Sequence, residues 1–109
     1  MSQHIYKTAY HGQPIEILLG YDKPMDGYFM VIEFTDPAID DDFYLYSNLF
    51  EDEPFVPTLD RYLAVLSNLG ITLPQPIIEE VLEDGRNKAG SKCVLHSIGN
   101  KEYVREVIR

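Results

Sequence analysis

The chain has a single cysteine, no tryptophan and no long apolar run. The lone Cys93 excludes an internal disulfide and the common zinc-finger spacings. Apolar runs such as residues 28–32 are far too short to cross a membrane. The first twelve residues, MSQHIYKTAYHG, also lack the charged-then-apolar pattern of a signal peptide. From these absences we expect a cytoplasmic protein.

Lysine and arginine are also absent from residues 33–60, which we call the acidic segment. This segment carries nine Asp and Glu residues, whereas the whole chain has 18 acids and 9 bases. The formal net charge of −9 therefore resides entirely in the acidic segment. Because negative charge repels nucleic-acid phosphates and anionic lipids, we expect no direct binding to nucleic acid or to membranes.

Residue periodicity predicts four strands in the first half of the chain. The β-favouring residues of 4–10 and 13–19 flank a short turn at His11–Gly12, which is typical of a hairpin. Residues 28–34 form the most apolar stretch and predict a central strand covered on both faces. Residues 43–49 alternate, which predicts Phe43 and Leu45 in the core and an outer face of Tyr44 and Tyr46.

The second half predicts two helices and a last strand. Residues 58–69 place apolar side chains at helical spacing, with Thr58 as N-cap and Gly70 as a left-handed C-terminal residue. Residues 76–84 predict the second helix, with Pro76 at its first position and Gly85 at its end. Residues 92–98 predict a strand. The tail, residues 100–109, fits either a helix or a strand, and its apolar spacing favours a helix.

We therefore expect one domain, residues 1–109, of the α+β class. It would have an antiparallel β-sheet of about four to five strands with two α-helices packed on one face. The strands come first and the helices later, which argues against a doubly wound parallel sheet.

The acidic segment is the strongest candidate for a functional surface. Its carboxylates repel one another, and lysines would normally be interspersed on a purely structural surface. Its aromatic residues resemble those of protein interfaces. We therefore expect a non-enzymatic protein that engages a basic protein surface, for example as a nucleic-acid mimic that inhibits a nuclease or another nucleic-acid-binding protein. The candidate binding residues are Asp36, Asp40, Asp41, Asp42, Tyr44, Tyr46, Glu51, Asp52 and Glu53.

Metal and cofactor sites are not predicted. Asp36 with Asp40–Asp42 offers oxygen ligands, but the EF-hand spacing is absent. The potential transition-metal ligands His4, His11, His96 and Cys93 do not have a recognised ligand spacing. Catalytic motifs such as a Walker loop, a Rossmann fingerprint or a nucleophile elbow are also missing, so no catalytic residue is assigned.

Two alternatives remain for the function. One is a small enzyme or ligand carrier, with a pocket between sheet and helices near Cys93 and His96, although these two side chains would point to opposite sides of a strand. The other is a housekeeping domain without a dedicated site. The basic loop, residues 86–92, could pair with the acidic segment within one molecule or between molecules. The expected assembly is a monomer or a weak homo-oligomer.

Overall fold

The computed structural model describes residues 1–36, 44–99 and 102–108 of the chain. In these residues it shows an α+β fold with six strands and two helices, as the class prediction required. The elements in chain order are β1 (Ser2–Tyr10), β2 (Gln13–Asp22), β3 (Gly27–Phe34), β4 (Tyr44–Ser47), a turn of 3-10 helix (Asn48–Phe50), α1 (Asp60–Leu69), α2 (Gln75–Arg86), β5 (Lys92–Gly99) and β6 (Glu102–Val107).

The six strands form one mixed sheet in the order β4-β3-β2-β1-β5-β6. The predicted β1–β2 hairpin is present, and its turn residues His11 and Gly12 both have positive φ. All neighbouring strand pairs are antiparallel except β1 and β5, which pair in parallel. The expectation of a purely antiparallel sheet is therefore wrong. That expectation rested on pairing between strands that are adjacent in the sequence. β1 and β5 are instead far apart in the sequence, with both helices between them.

The sixth strand corrects the helix that we favoured for the tail. β6 pairs antiparallel with β5 from Gly99–Glu102 to Val94–Val107, and residues 100 and 101 lie outside the described residues. The apolar spacing was misleading because β6 is an edge strand. Val104 and Val107 point to opposite sides of it and are both about half exposed, so apolar side chains need not follow a period of two.

The core lies between one face of the sheet and both helices. It contains alternate residues of β2 and β3, such as Ile17 and Ile32, packed against helix residues such as Tyr62 and Val81. The predicted helical stripes thus cover the sheet on one side. The opposite face carries Phe29, which is buried because the loop before α1 places the Phe55 ring 6.2 Å from it.

The helix ends agree with the sequence only in part. Gly70 ends α1 in the left-handed conformation, as predicted, and the Ile71 amide donates to the Leu66 carbonyl. Thr58 is not the N-cap, because the helix begins at Asp60 with Leu59 before it. Gly85 does not end α2, which continues to Arg86, and Gly85 itself is packed directly against Tyr28.

Neither helix in the described part of the chain has the length and apolar character needed to cross a membrane.

Candidate functional site

The end of β4 carries an exposed apolar turn bordered by acids. Leu49 and Phe50 lie on the 3-10 turn with 72% and 65% of their surface exposed. Glu51, Asp52 and Glu53 follow at once, and Asp52 and Glu53 are exposed. We call these five residues, Leu49 to Glu53, the acidic turn. Large exposed apolar side chains beside polar neighbours are typical of interaction surfaces.

The acidic turn is held in place by hydrogen bonds. Ser47 Oγ accepts from the Leu49 amide at 3.2 Å, which caps the turn. The Asn48 side chain donates to the Pro54 carbonyl at 3.0 Å, and the Tyr62 hydroxyl donates to the same carbonyl at 2.9 Å. Val56 then pairs with Tyr28 on the edge of β3. The exposed side chains therefore stand on backbone that is anchored to the core.

The two tyrosines of β4 do not share a face, which corrects our prediction. Pairing with β3 shifts register between Ile32 and Glu33, so that Tyr46 lies opposite Ile32 and Tyr44 lies opposite Glu33. Because consecutive residues of β3 point to opposite faces, this bulge separates the tyrosines. Tyr46 is buried against Tyr62 in the core, whereas Tyr44 is 41% exposed.

Tyr46 still takes part in the acidic turn from below. Its hydroxyl donates to Glu51 at 3.1 Å, and its ring lies 6.2 Å from that of Phe50. Burial, followed by the neighbouring Glu51 carboxylate, raises the pKa of Tyr46. The tyrosine is therefore protonated at neutral pH and serves as a hydrogen-bond donor that positions Glu51.

The remaining predicted binding residues divide into two groups. Asp36 follows β3 and is half-buried. Asp40, Asp41 and Asp42 lie outside the described residues, as does Phe43. The structure therefore brings Glu51, Asp52 and Glu53 together with Leu49 and Phe50, two residues that we did not assign to the site.

The basic side chains that form described ion pairs lie away from the acidic turn, and the one base that reaches it in the described residues, Arg61 on α1, donates to the Glu53 backbone carbonyl and not to a carboxylate. Within the described residues, the paired bases bind other acids: Lys88, in the loop after α2, binds Asp26 at 2.6 Å, and Arg86, the last residue of α2, binds Glu83 at 2.9 Å. Among the described residues, Glu51, Asp52 and Glu53 form no ion pair with a base. Three of the nine acids of the segment are therefore presented at the acidic turn without a described ion pair.

A second polar site lies buried between α2 and the sheet. His4 on β1 and His96 on β5 are diagonal neighbours on parallel strands, with a distance of 2.8 Å from His4 Nδ1 to His96 Nε2. His4 Nε2 lies 2.6 Å from Asp84 Oδ2, and His96 Nδ1 contacts the Tyr103 hydroxyl. Glu80, one helical turn before Asp84, approaches His96 Nε2 at 4.0 Å. We call these residues the histidine cluster.

Two bases neutralise the acids of the histidine cluster. Lys92 donates to Asp84 at 2.9 Å and to Glu80 at 3.1 Å, and Arg105 on β6 also binds Glu80. Burial would raise the pKa of both carboxyls, but hydrogen bonds from these partners and from His4 outweigh it and lower both values. Both acids are therefore charged at neutral pH.

His96 is neutral in this environment. Its burial, together with the neighbouring His4, lowers the pKa of His96 to about 4. Two proton arrangements satisfy the chain of contacts. With His4 neutral, Tyr103 donates to His96, His96 to His4 and His4 to Asp84; with His4 protonated, the first two bonds reverse. In either arrangement, one nitrogen of each ring faces the other ring.

Cys93 is not part of the histidine cluster. It pairs with Gln3, whereas His96 pairs with Tyr6, so that the two side chains lie on opposite faces of β5 as their spacing predicted. Cys93 is a buried free thiol. The two residues therefore cannot act together as nucleophile and base.

Sequence reasoning missed the histidine cluster because His4 and His96 are 92 residues apart. Only the parallel pairing of β1 with β5 brings them together, and no local pattern of residues indicates that pairing. Comparison with known protein families, with curated proteins and with solved structures finds no match to this chain.

Proposed function

We propose that this protein is a non-enzymatic binding module whose acidic turn engages a basic protein surface. The observation that carries this proposal is the exposure of Leu49 and Phe50 on an anchored turn, directly beside three acids that form no ion pair within the described part of the chain. Exposed apolar side chains supply contact area, and the carboxylates select a partner of opposite charge.

The anchoring of the turn favours binding. A flexible loop would lose conformational freedom on association, which opposes binding. Here the hydrogen bonds of Asn48 and Tyr62 to Pro54 hold the loop before a partner arrives. The apolar and acidic side chains are therefore presented together at low entropic cost.

The partner that we infer is a protein that itself binds nucleic acid. Such a protein has a groove lined by lysine and arginine, which the carboxylates of residues 33–60 would occupy in place of phosphates. Asp36 and Asp40–Asp42 add four carboxylates to the same segment of the chain. Under this proposal the protein inhibits its partner by competing with the nucleic acid.

The proposal can be tested with the triple variant Glu51→Gln, Asp52→Asn, Glu53→Gln. Each change keeps the side-chain shape and removes one charge. Immobilised wild-type protein should retain a basic protein from native cell extract at low salt and release it at high salt, because salt screens the attraction. The triple variant and the variant Leu49→Ser, Phe50→Ser should each retain much less of it, as measured by quantitative mass spectrometry.

The matched control is the variant Glu79→Gln, Glu102→Gln, Glu106→Gln, which removes the same number of charges from exposed positions outside the acidic segment. It should retain the partner as the wild type does. Equal loss in both triple variants would show that only net charge matters and would contradict a defined site. For the inhibitor role, wild-type protein should displace duplex DNA from the purified partner, and the variant with changes at 51–53 should not.

A further inference from the structure

We propose that His4, His96 and Glu80 form a binding site for a divalent transition metal of the zinc class. One nitrogen of each imidazole and one oxygen of Glu80 lie within 4.8 Å of one another in the buried space between α2 and the sheet. Two imidazoles and one carboxylate form a known ligand set for zinc, which leaves a fourth position open. This site is separate from the acidic turn and does not depend on the function proposed for it.

The ligand atoms need only small movements to bind a metal. Zinc–nitrogen bonds of about 2.0–2.1 Å in tetrahedral geometry place two ligand atoms about 3.3 Å apart. The two imidazole nitrogens are 2.8 Å apart, and His96 Nε2 is 4.0 Å from the Glu80 oxygen. A slight separation of the rings and a slight approach of the carboxylate therefore create the site.

Each of the three ligands already has the kind of outer partner that orients metal ligands. The nitrogen of His4 that faces away from His96 contacts Asp84, and the outer nitrogen of His96 contacts Tyr103. Glu80 is bound by Arg105. A carboxylate or another polar group behind a ligating imidazole fixes its ring orientation and raises its basicity.

The charges around the site determine how a metal enters. Lys92 would repel a dication, but its side chain is 29% exposed and can turn towards solvent, while Arg105 keeps its contact with Glu80. The metal would then replace the positive charge of Lys92 beside Glu80. It would also link β1, β5 and α2, three elements that are distant in sequence, and would thereby stabilise the folded chain.

The test is calorimetric titration of zinc into the full chain, prepared without an affinity tag. Wild-type protein should bind one zinc ion and melt at a higher temperature with zinc than with a chelator. His4→Gln, His96→Gln and Glu80→Gln should each weaken binding by about a hundredfold or more, since each removes a ligand. The matched control His11→Gln removes the third histidine, which is exposed outside the cluster, and should bind zinc as the wild type does.

Two further measurements keep the test decisive if a buried variant fails to fold. Lys92→Gln removes a repelling charge while Arg105 still holds Glu80, so it should tighten zinc binding by about tenfold. Cobalt bound to the wild type should show tetrahedral visible absorption without a thiolate charge-transfer band, because Cys93 lies on the other face of β5. Absence of saturable one-to-one binding in the wild type, equal binding by folded Glu80→Gln, or a thiolate band would each overturn the proposal.

Discussion

Two glutamates oppose each other on the sheet face that the helices do not cover. Glu16 on β2 is the cross-strand partner of Glu33 on β3. Burial raises the pKa of Glu33, and the neighbouring Glu16 raises it further. Like charges directly opposite each other in an antiparallel pair destabilise the sheet. The folded protein therefore contains a local repulsion that unfolding would relieve.

We expect Glu33→Gln to stabilise the protein at pH 7 by about 0.2–1 kcal/mol. Because the pKa of Glu33 is higher in the folded than in the unfolded chain, its ionisation favours unfolding as pH rises above the unfolded value. The gain should therefore be present at pH 7 and disappear below the pKa of an unfolded glutamate. Urea unfolding of both proteins at pH 7 and at acidic pH measures this difference.

The control for this prediction is Glu79→Gln, which removes one charge from an exposed position on α2. It should change the free energy of unfolding by less than Glu33→Gln does. A constant gain for Glu33→Gln at all pH values would mean that the glutamine packs better and that charge repulsion is not the cause.

At the scale of elements, α2 contacts the sheet closely at a glycine, Gly85. A Cβ atom at Gly85 would lie 2.6 Å from Cζ of Tyr28 on β3, which is far inside normal contact. The absence of a side chain therefore allows the helix to approach the strand closely. The same helix presents Glu80 and Asp84 to β1 and β5, so this contact also helps to place the histidine cluster.

We expect Gly85→Ala to destabilise the protein although alanine is the better helix former. The helix would gain about 1 kcal/mol from the change, but forced overpacking against Tyr28 costs typically about 1–3 kcal/mol. Gly90→Ala is the matched control, because a Cβ atom there meets no neighbour within 4 Å, and it should be nearly neutral. Thermal unfolding of the two variants gives the comparison; a stabilised Gly85→Ala protein would contradict the close packing.

The elements that the sequence predicted correctly are those defined by local patterns. The hairpin at Gly12, the helical stripe ending at Gly70 and the strand at residues 28–34 all follow from neighbouring residues. The predictions failed where a distant partner decides the outcome. The bulge opposite β3 turned Tyr46 into the core, and pairing with β5 made the tail a strand.

The candidate sites show the same division. The negative charge of residues 51–53 can be counted in the sequence, so part of the acidic turn was predicted. The exposure of Leu49 and Phe50 was not, because an apolar residue is more often buried than exposed. The histidine cluster combines residues from both ends of the chain and from α2, and no local pattern identifies it.

At the scale of the whole molecule, charge is distributed unevenly. The ion pairs of the described residues join α2 and the loop after β2 to bases of residues 86–105 and to His4 and His96. Glu51, Asp52 and Glu53 take part in none of these ion pairs, and the sequence assigns the formal charge of −9 to residues 33–60. Such a charge repels itself in the compact state and opposes folding.

We therefore expect sodium chloride to stabilise the protein. Raising its concentration from about 10 mM to 300 mM shortens the screening length from about 30 Å to below 10 Å, which weakens repulsion among the carboxylates. A gain of about 1 kcal/mol would raise the melting temperature by about 4–8 °C in a domain of this size. If the repulsion originates in the acidic segment, the variant with changes at 51–53 should melt higher than the wild type at low salt and respond less to added salt.

The control variant with changes at 79, 102 and 106 has the same net charge, so its salt response should stay closer to that of the wild type. Equal responses in both variants would show that the repulsion is spread over the whole surface and would contradict its origin in one segment.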